Sequence, residues 1–448
     1  MKKIIKHSFV QNFFILLVDR GFQFLSQLVT IFIITKYLGA VQFGYLMYAF
    51  TLFSLANNIA NVGLEKTLVV ELSNESISSA KFDILVSGII IKFAASLLVY
   101  ALVYFGQHSF LVNFIEPKIY HVFVIYSLGV FSFSWILIDA FNQSISQVKY
   151  TAYARIIASV VSILFRLYLV YINASLEWIT LSFVIEQLVC LLICLLMSKD
   201  FVQIIKTNSL KHFHFKKHLI SSGFFVLVSA VCFIIYFKST QTVIERKLSH
   251  EFLGVFSLIM SLFEIPVSLA YILSTLFTPK IIEYFSKNNS ESKTAIYGSF
   301  MFVFGMIGLA SSGIVLIFGL ILETFLSSSY PHLFKLLLQG CLVIPIVFIG
   351  YCANMLLLIS KKYKVYVLIA VLNTLSIIVF WYFLSNSISN SNAAFYYLLT
   401  QLITSIIVPV MVDKNILQTV QHFLSLFLQP FSLVSKLKHQ LHPIIIAR

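Results

Sequence analysis

Long apolar runs separated by short polar breaks repeat along the whole chain. A run of about 18 apolar residues is long enough to cross a bilayer as a helix. By that measure about twelve spans are expected, over 10–35, 43–63, 84–105, 120–141, 149–171, 177–197, 219–241, 251–277, 295–320, 333–359, 364–384 and 393–412. The longest internal break, 198–218, is basic and leaves six spans on either side. The pattern predicts an all-α integral membrane protein of two six-helix lobes, 1–197 and 219–412, joined by a cytoplasmic linker at 198–218. Residues 413–448 read as an amphipathic tail, because Ile416, Val420, Phe423, Phe427 and Phe431 alternate with Gln, His and Ser. Two halves that start on the same side are what a parallel repeat requires. A short echo accompanies them: Lys36 to Tyr45 after the first span resembles Lys247 to Val255 after the seventh.

Several spans carry polar stripes. Asp19, Gln23, Ser26 and Thr30 stand at i, i+4, i+7 and i+11, and Thr51, Ser54, Asn58 and Asn61 at i, i+3, i+7 and i+10, so each set shares one helix face. Thr151, Arg155, Ser159, Ser162 and Arg166 form a continuous cationic–hydroxyl face on the fifth span. Its two arginines are about 16 Å apart along the axis. Ser257, Ser261, Glu264, Ser268, Tyr271 and Thr275 form an acidic counterpart on the eighth. Charge inside a membrane is costly unless it faces protein or water. Such faces either wall an aqueous cavity or glue helices together. For Arg166 the two readings are a grip on phosphate by the planar guanidinium fork and an ion pair with Glu186. Lys92 stands between snorkelling and cavity lining, Lys238 is placed near the outer mouth, and Asp139 with Asn142 and Gln143 reads as solvated.

Composition fixes the class. With 11% charged and 59% hydrophobic residues and a mean hydropathy of +0.95, the chain is far outside the soluble range. The net charge of +14 comes from loop cations, which excludes nucleic acid as the natural partner. With the N-terminus inside, 21 of the 31 lysines and arginines fall in inner segments, six in outer ones and four in spans. The positive-inside rule then puts both termini in the cytoplasm. The cysteines (190, 194, 232, 341 and 352) all lie in apolar runs and read as packing residues, and His212, His214 and His218 in the linker read as solvated. No P-loop, D-x-D or H-E-x-x-H pattern occurs, so no enzyme, cofactor or metal is expected.

The striped first helix, the turn L-G-A-V-Q-F-G (Leu38 to Gly44) and the N-x-x-N-x-G ending at Asn58, Asn61 and Gly63 resemble the bacterial polysaccharide flippases. These are the Wzx-type members of the multidrug/oligosaccharidyl-lipid/polysaccharide exporter superfamily. The resemblance implies a V-shaped architecture like that of the MATE exporters. It also implies a cargo of undecaprenyl-diphosphate-linked O-antigen or capsule repeat units, moved from the cytoplasmic to the periplasmic leaflet of the inner membrane. Implied partners are membrane lipids, a polysaccharide polymerase and a chain-length regulator. On this reading Arg20, Arg155 and Arg166 contact the cargo's anion. Gln23, Gln27, Asn58, Asn61, Ser159 and Ser162 offer it hydrogen bonds. Asp19, Glu186 and Glu264 couple an ion or pair with arginines. The alternatives are a multidrug exporter of the same superfamily and a non-transporting structural membrane protein.

Overall fold

The computed structural model describes residues 2–75, 77–106, 115–145, 147–208, 213–287, 293–326, 330, 332–359 and 362–427. His212, the tail beyond Phe427 and the side chains of Arg20, Tyr271 and Thr275 lie outside the described set. All regular structure among the described residues is helical. This follows from the apolar runs, since a helix satisfies its backbone N–H and C=O groups internally where no water is available.

Eleven helical stretches are long and apolar enough to cross a membrane. The first, Gly21–Asn61, has 41 residues, about 60 Å of helix and twice the hydrocarbon thickness. It divides at Gly39, whose φ of 69° and ψ of 175° break the helical path. The first two expected spans are therefore one chain-continuous helical segment bent at the glycine of the L-G pair, and all twelve expected positions are occupied.

The chain forms two compact units, Met1–Val231 and Cys232–Arg448. The first unit holds α1 (Lys2–Asn61), α2 (Leu64–Asn74), α3 (Ser78–Gly106), α4 (Pro117–Ser127), α5 (Gly129–Ser132), α6 (Trp135–Ser144), α7 (Lys149–Tyr171), α8 (Leu176–Met197), α9 (Lys199–Thr207) and the start of α10 (His218–Lys247). The fourth span is three short helices, α4 to α6. Ser132 and Ser134 bond back to the Gly129 and Phe131 carbonyls there, and Gly129 packs closely on Phe53. A core of Leu64, Leu68, Ile84, Phe141, Ala154, Cys190, Cys194 and Phe201 joins α2, α3, α6, α7, α8 and α9, so both cysteines do pack as hydrophobes.

Two tight features close this unit. Val62 and Gly63 take positive φ after α1, and the Gly223 carbonyl lies so near that a Cβ on Gly63 would sit 2.2 Å from it. His214 and His218 of the linker are solvent-exposed, as expected, while the linker backbone is tied to α3: Asp83 accepts from the His214 amide at 3.1 Å and Ser87 from the Lys216 amide at 2.9 Å. His218 meets Glu71 at 3.2 Å.

The second unit continues with α11 (His250–Lys287), α12 (Lys293–Leu326), α13 (Leu333–Gly340), α14 (Val343–Ile359), α15 (Tyr363–Leu384), α16 (Ala393–Leu402), a π-helical turn at Ile403–Ile407, α17 (Val408–Val412) and α18 (Lys414–Phe427). Pro345 follows the break between α13 and α14, and Pro409 follows the π-turn, so both mark interrupted spans. The tail helix α18 is amphipathic, with Ile416, Thr419 and Leu426 buried and Phe423 against Phe302 and Gly305 of α12.

Asp413 caps α18, accepting from the Asn415 amide at 2.8 Å and from Lys362 at 2.5 Å. Burial pushes its carboxyl up, but the Lys362 hydrogen bond and the Asn415 amide outweigh that and hold it below the usual carboxylate range. A depressed pKa stabilises the fold above the unfolded value, and the contribution is lost as pH falls through the folded value. Asp413→Asn, which keeps a competent cap but removes the charge facing the part-exposed Lys362, should therefore cost up to about 1 kcal/mol at neutral pH. The difference from wild type should shrink as pH falls below about 4, read as the unfolding midpoint in detergent across that range.

Candidate functional site

Two ionic clusters of the first unit lie along one face of α7. Near its start, Arg155 donates from Nη2 to Asp19 of α1 at 2.7 Å, and its Nη1 lies 3.7 Å from Asp139 of α6. Gln23 and Gln143 each donate at 3.0 Å to these two carboxylates. The guanidinium rests over the Trp135 ring, whose Nε1 is fixed by Gln187 at 2.9 Å. Asp19 is fully buried. Arg155 keeps one buried N–H, at Nε, without a partner.

Three turns along the same face, Arg166 is only 2% exposed. Its Nη2 donates to Glu186 at 2.5 Å, its Nε to Ser182 at 3.1 Å and its Nη1 to Thr30 at 3.2 Å. Phe183 lies 3.9 Å beneath the guanidinium. Ser162 and Ser159 donate to the Glu186 carboxylate at 3.0 and 3.4 Å. The hydroxyl ladder between the arginines thus serves the acceptor of Arg166. Ion pairing is how a buried guanidinium is tolerated in hydrocarbon.

The expected residues therefore separate into groups. Asp19, Gln23 and Arg155 form one cluster; Ser159, Ser162, Arg166 and Glu186 form a second. Gln27 is exposed, and Asn58 donates to the Ser54 carbonyl of its own helix at 2.9 Å. Asn61 faces Lys92 of α3, which donates to it at 2.5 Å and is only 1% exposed, so Lys92 is buried and does not snorkel. The face carries one more carboxylate than arginine: Asp19, Asp139 and Glu186 accompany Arg155 and Arg166. It is not the cationic face expected from the sequence, because Asp139 is buried beside Arg155 and not solvated. Ser182, one turn before Glu186 on α8, was also missed, although its i, i+4 spacing places it on the same face.

In the second unit Glu264 of α11 pairs with Lys238 of α10. Lys238, placed near the outer mouth by its sequence position, is only 8% exposed and is held by this pair. One strand of polar contact continues along these helices, where Gln241 donates to Ser257 at 2.8 Å. Glu264 thus neutralises a lysine, a partner the sequence did not indicate.

Residues 9–285 match the sequence profile of the polysaccharide biosynthesis protein family. The chain belongs to that family. Its fold is that of the MATE transporters and MurJ. An inward-facing multidrug resistance MATE family transporter of the MOP superfamily superposes with a TM-score of 0.72 at 11% identity, over 89% of this chain and 96% of that one. The lipid II flippase MurJ, in an inward closed conformation, superposes with a TM-score of 0.64 at 15% identity, over 98% and 97%. A MATE protein in a bent conformation gives 0.55 at 10% identity, over 93% and 96%. No curated protein sequence matches the chain. Family and fold agree with the resemblance carried by Leu38 to Gly44 and by Asn58, Asn61 and Gly63.

Proposed function

We propose that this protein is a bacterial inner-membrane flippase. It carries undecaprenyl-diphosphate-linked oligosaccharide repeat units from the cytoplasmic to the periplasmic leaflet for O-antigen or capsule synthesis. The observation that carries the reading is the pair of arginines on one face of α7, Arg166 buried and Arg155 mostly so, each held by a carboxylate from a neighbouring helix. A diphosphate entering hydrocarbon needs its hydration replaced by strong donors, and the guanidinium fork matches phosphate oxygens bidentately. Asp19 and Glu186 keep the forks oriented and charge-compensated while no cargo is bound. When phosphate takes their place, the released carboxylates are free to take up a proton or a cation, which couples cargo binding to an ion gradient. Glu264 with Lys238 offers the second unit the same exchange. The family membership and the fold shared with a flippase support this reading. Both termini face the cytoplasm, in line with the 21-to-6 distribution of loop cations. A polymerase and a chain-length regulator act on the delivered product.

One observation favours a second reading, a multidrug exporter: the ionic face holds three carboxylates to two arginines, a balance that also suits a cationic cargo. A single substitution separates the two. Arg166→Lys keeps the charge but removes the fork. A diphosphate carrier should then lose surface polysaccharide by about tenfold or more, the equivalent of one bidentate contact, with lipid-linked units retained in the cytoplasmic leaflet and the protein inserted normally. Unchanged surface polysaccharide would defeat the role of Arg166.

A further inference from the structure

The two arginines of α7 are mounted alike. The Arg166 guanidinium carbon lies 3.9 Å from the centre of the Phe183 ring, and that of Arg155 lies 5.7 Å from the Trp135 ring. Phe183 stands three residues before Glu186 on α8, and Trp135 four residues before Asp139 on α6. Residues so spaced share a helix face. One neighbouring helix therefore supplies each arginine with both a ring and a carboxylate. Gln187, next to Glu186, accepts from the Trp135 Nε1 at 2.9 Å, so α8 also fixes the ring at Arg155. Phe133, Phe53 and Tyr126 join the two rings: successive centroids from Trp135 to Phe183 are 6.2, 5.7, 5.6 and 5.6 Å apart. Phe53 and Tyr126 are buried, so both rings are backed by close-packed side chains.

A ring and a carboxylate hold a guanidinium in different ways. The ring attracts the cation through its face, which leaves the five N–H donors at the guanidinium edge free for acceptors. The carboxylate occupies part of that edge. Exchange of Glu186 for a phosphate removes the hold of the carboxylate but not that of the uncharged ring. Arg166 then keeps Phe183, Ser182 and Thr30. Without the ring, a long side chain regains rotamer freedom that each binding event must take away again.

We propose that Phe183 and Trp135 are positioning residues: each keeps the donor edge of its arginine toward the cargo's diphosphate while the carboxylate is displaced. The inference rests on the flippase reading and adds that cargo affinity depends on two aromatic residues that act through the arginines.

Initial flipping rates in sealed vesicles, taken over a range of cargo densities at equal folded protein, test it. Phe183→Leu keeps an apolar side chain without the ring face. It should raise the apparent KM for undecaprenyl-diphosphate oligosaccharide about fivefold and leave the maximal rate unchanged. Phe183→Tyr, which restores the face, should restore the wild-type KM. Trp135→Leu against Trp135→Phe repeats the comparison at Arg155, and decides it alone if Phe183→Leu does not fold. Rings that serve packing only would lower the unfolding midpoint of the leucine variants while the folded fraction kept the wild-type KM. That result, or an equal rise of KM in the tyrosine and phenylalanine variants, overturns the positioning role and leaves the flippase reading standing. Wild-type vesicles that flip no faster than protein-free ones overturn both.

Discussion

Glu186→Gln should cost about 3–5 kcal/mol of stability, because it leaves the Arg166 cation buried without its counter-charge. Arg166 is 2% exposed and its remaining partners, Ser182 and Thr30, are neutral. The loss should appear as a lowered unfolding midpoint in detergent and reduced folded protein in membranes. Replacing both partners by apolar residues, Arg166→Met with Glu186→Leu, should recover most of that stability, since removing a buried pair altogether is near neutral or favourable by about 1–4 kcal/mol. Transport should stay lost in that double variant. The swapped pair, Arg166→Glu with Glu186→Arg, divides the roles further. If it restores transport along with folding, the pair is structural and the cargo does not use the fork. If it restores folding alone, the guanidinium at position 166 is needed where it is.

The second large effect is expected at two glycines. Gly39 sits at φ 69° and ψ 175°, a region open essentially to glycine alone, with a cost of about 1–3 kcal/mol for other residues. Its Cβ position is empty to 4 Å, so the penalty of Gly39→Ala is purely backbone. Gly63→Ala adds a collision to the strain, since the new Cβ would lie 2.2 Å from the Gly223 carbonyl and would push α10 away. The expected order of damage is therefore Gly63→Ala, then Gly39→Ala, with Gly21→Ala tolerated because nothing lies within 4 Å of its Cβ and it takes no positive φ. Folded protein recovered by size-exclusion chromatography after detergent extraction checks the order.

These residues also show how far the sequence could be read. Hydropathy located every span, because each must bury about 20 apolar residues in hydrocarbon. It could not show that the first two form one bent helix, since that depends on the dihedral angles of Gly39. The i, i+4 series on α7 placed Arg155 and Arg166 on one face correctly. Their partners were harder, because pairing depends on the rotation and depth of α1, α6 and α8, which periodicity within one helix does not encode. Asp139 near a span end looks like a solvated carboxylate until α7 is packed against it. Lys238 was assigned by its distance from a helix end, and only the Glu264 contact shows that it is buried.

The central claim is movement of a lipid-linked oligosaccharide, and reconstitution tests it most directly. Undecaprenyl-diphosphate oligosaccharide is incorporated in both leaflets of sealed vesicles, and the fraction open to an impermeant sugar-modifying reagent is followed over time. Vesicles containing the protein should convert the protected inner-leaflet half to an accessible pool, and Arg166→Lys at equal protein density should slow that conversion about tenfold. A rate in wild-type vesicles no faster than in protein-free vesicles, with the protein folded and an ion gradient imposed in either direction, would contradict the account.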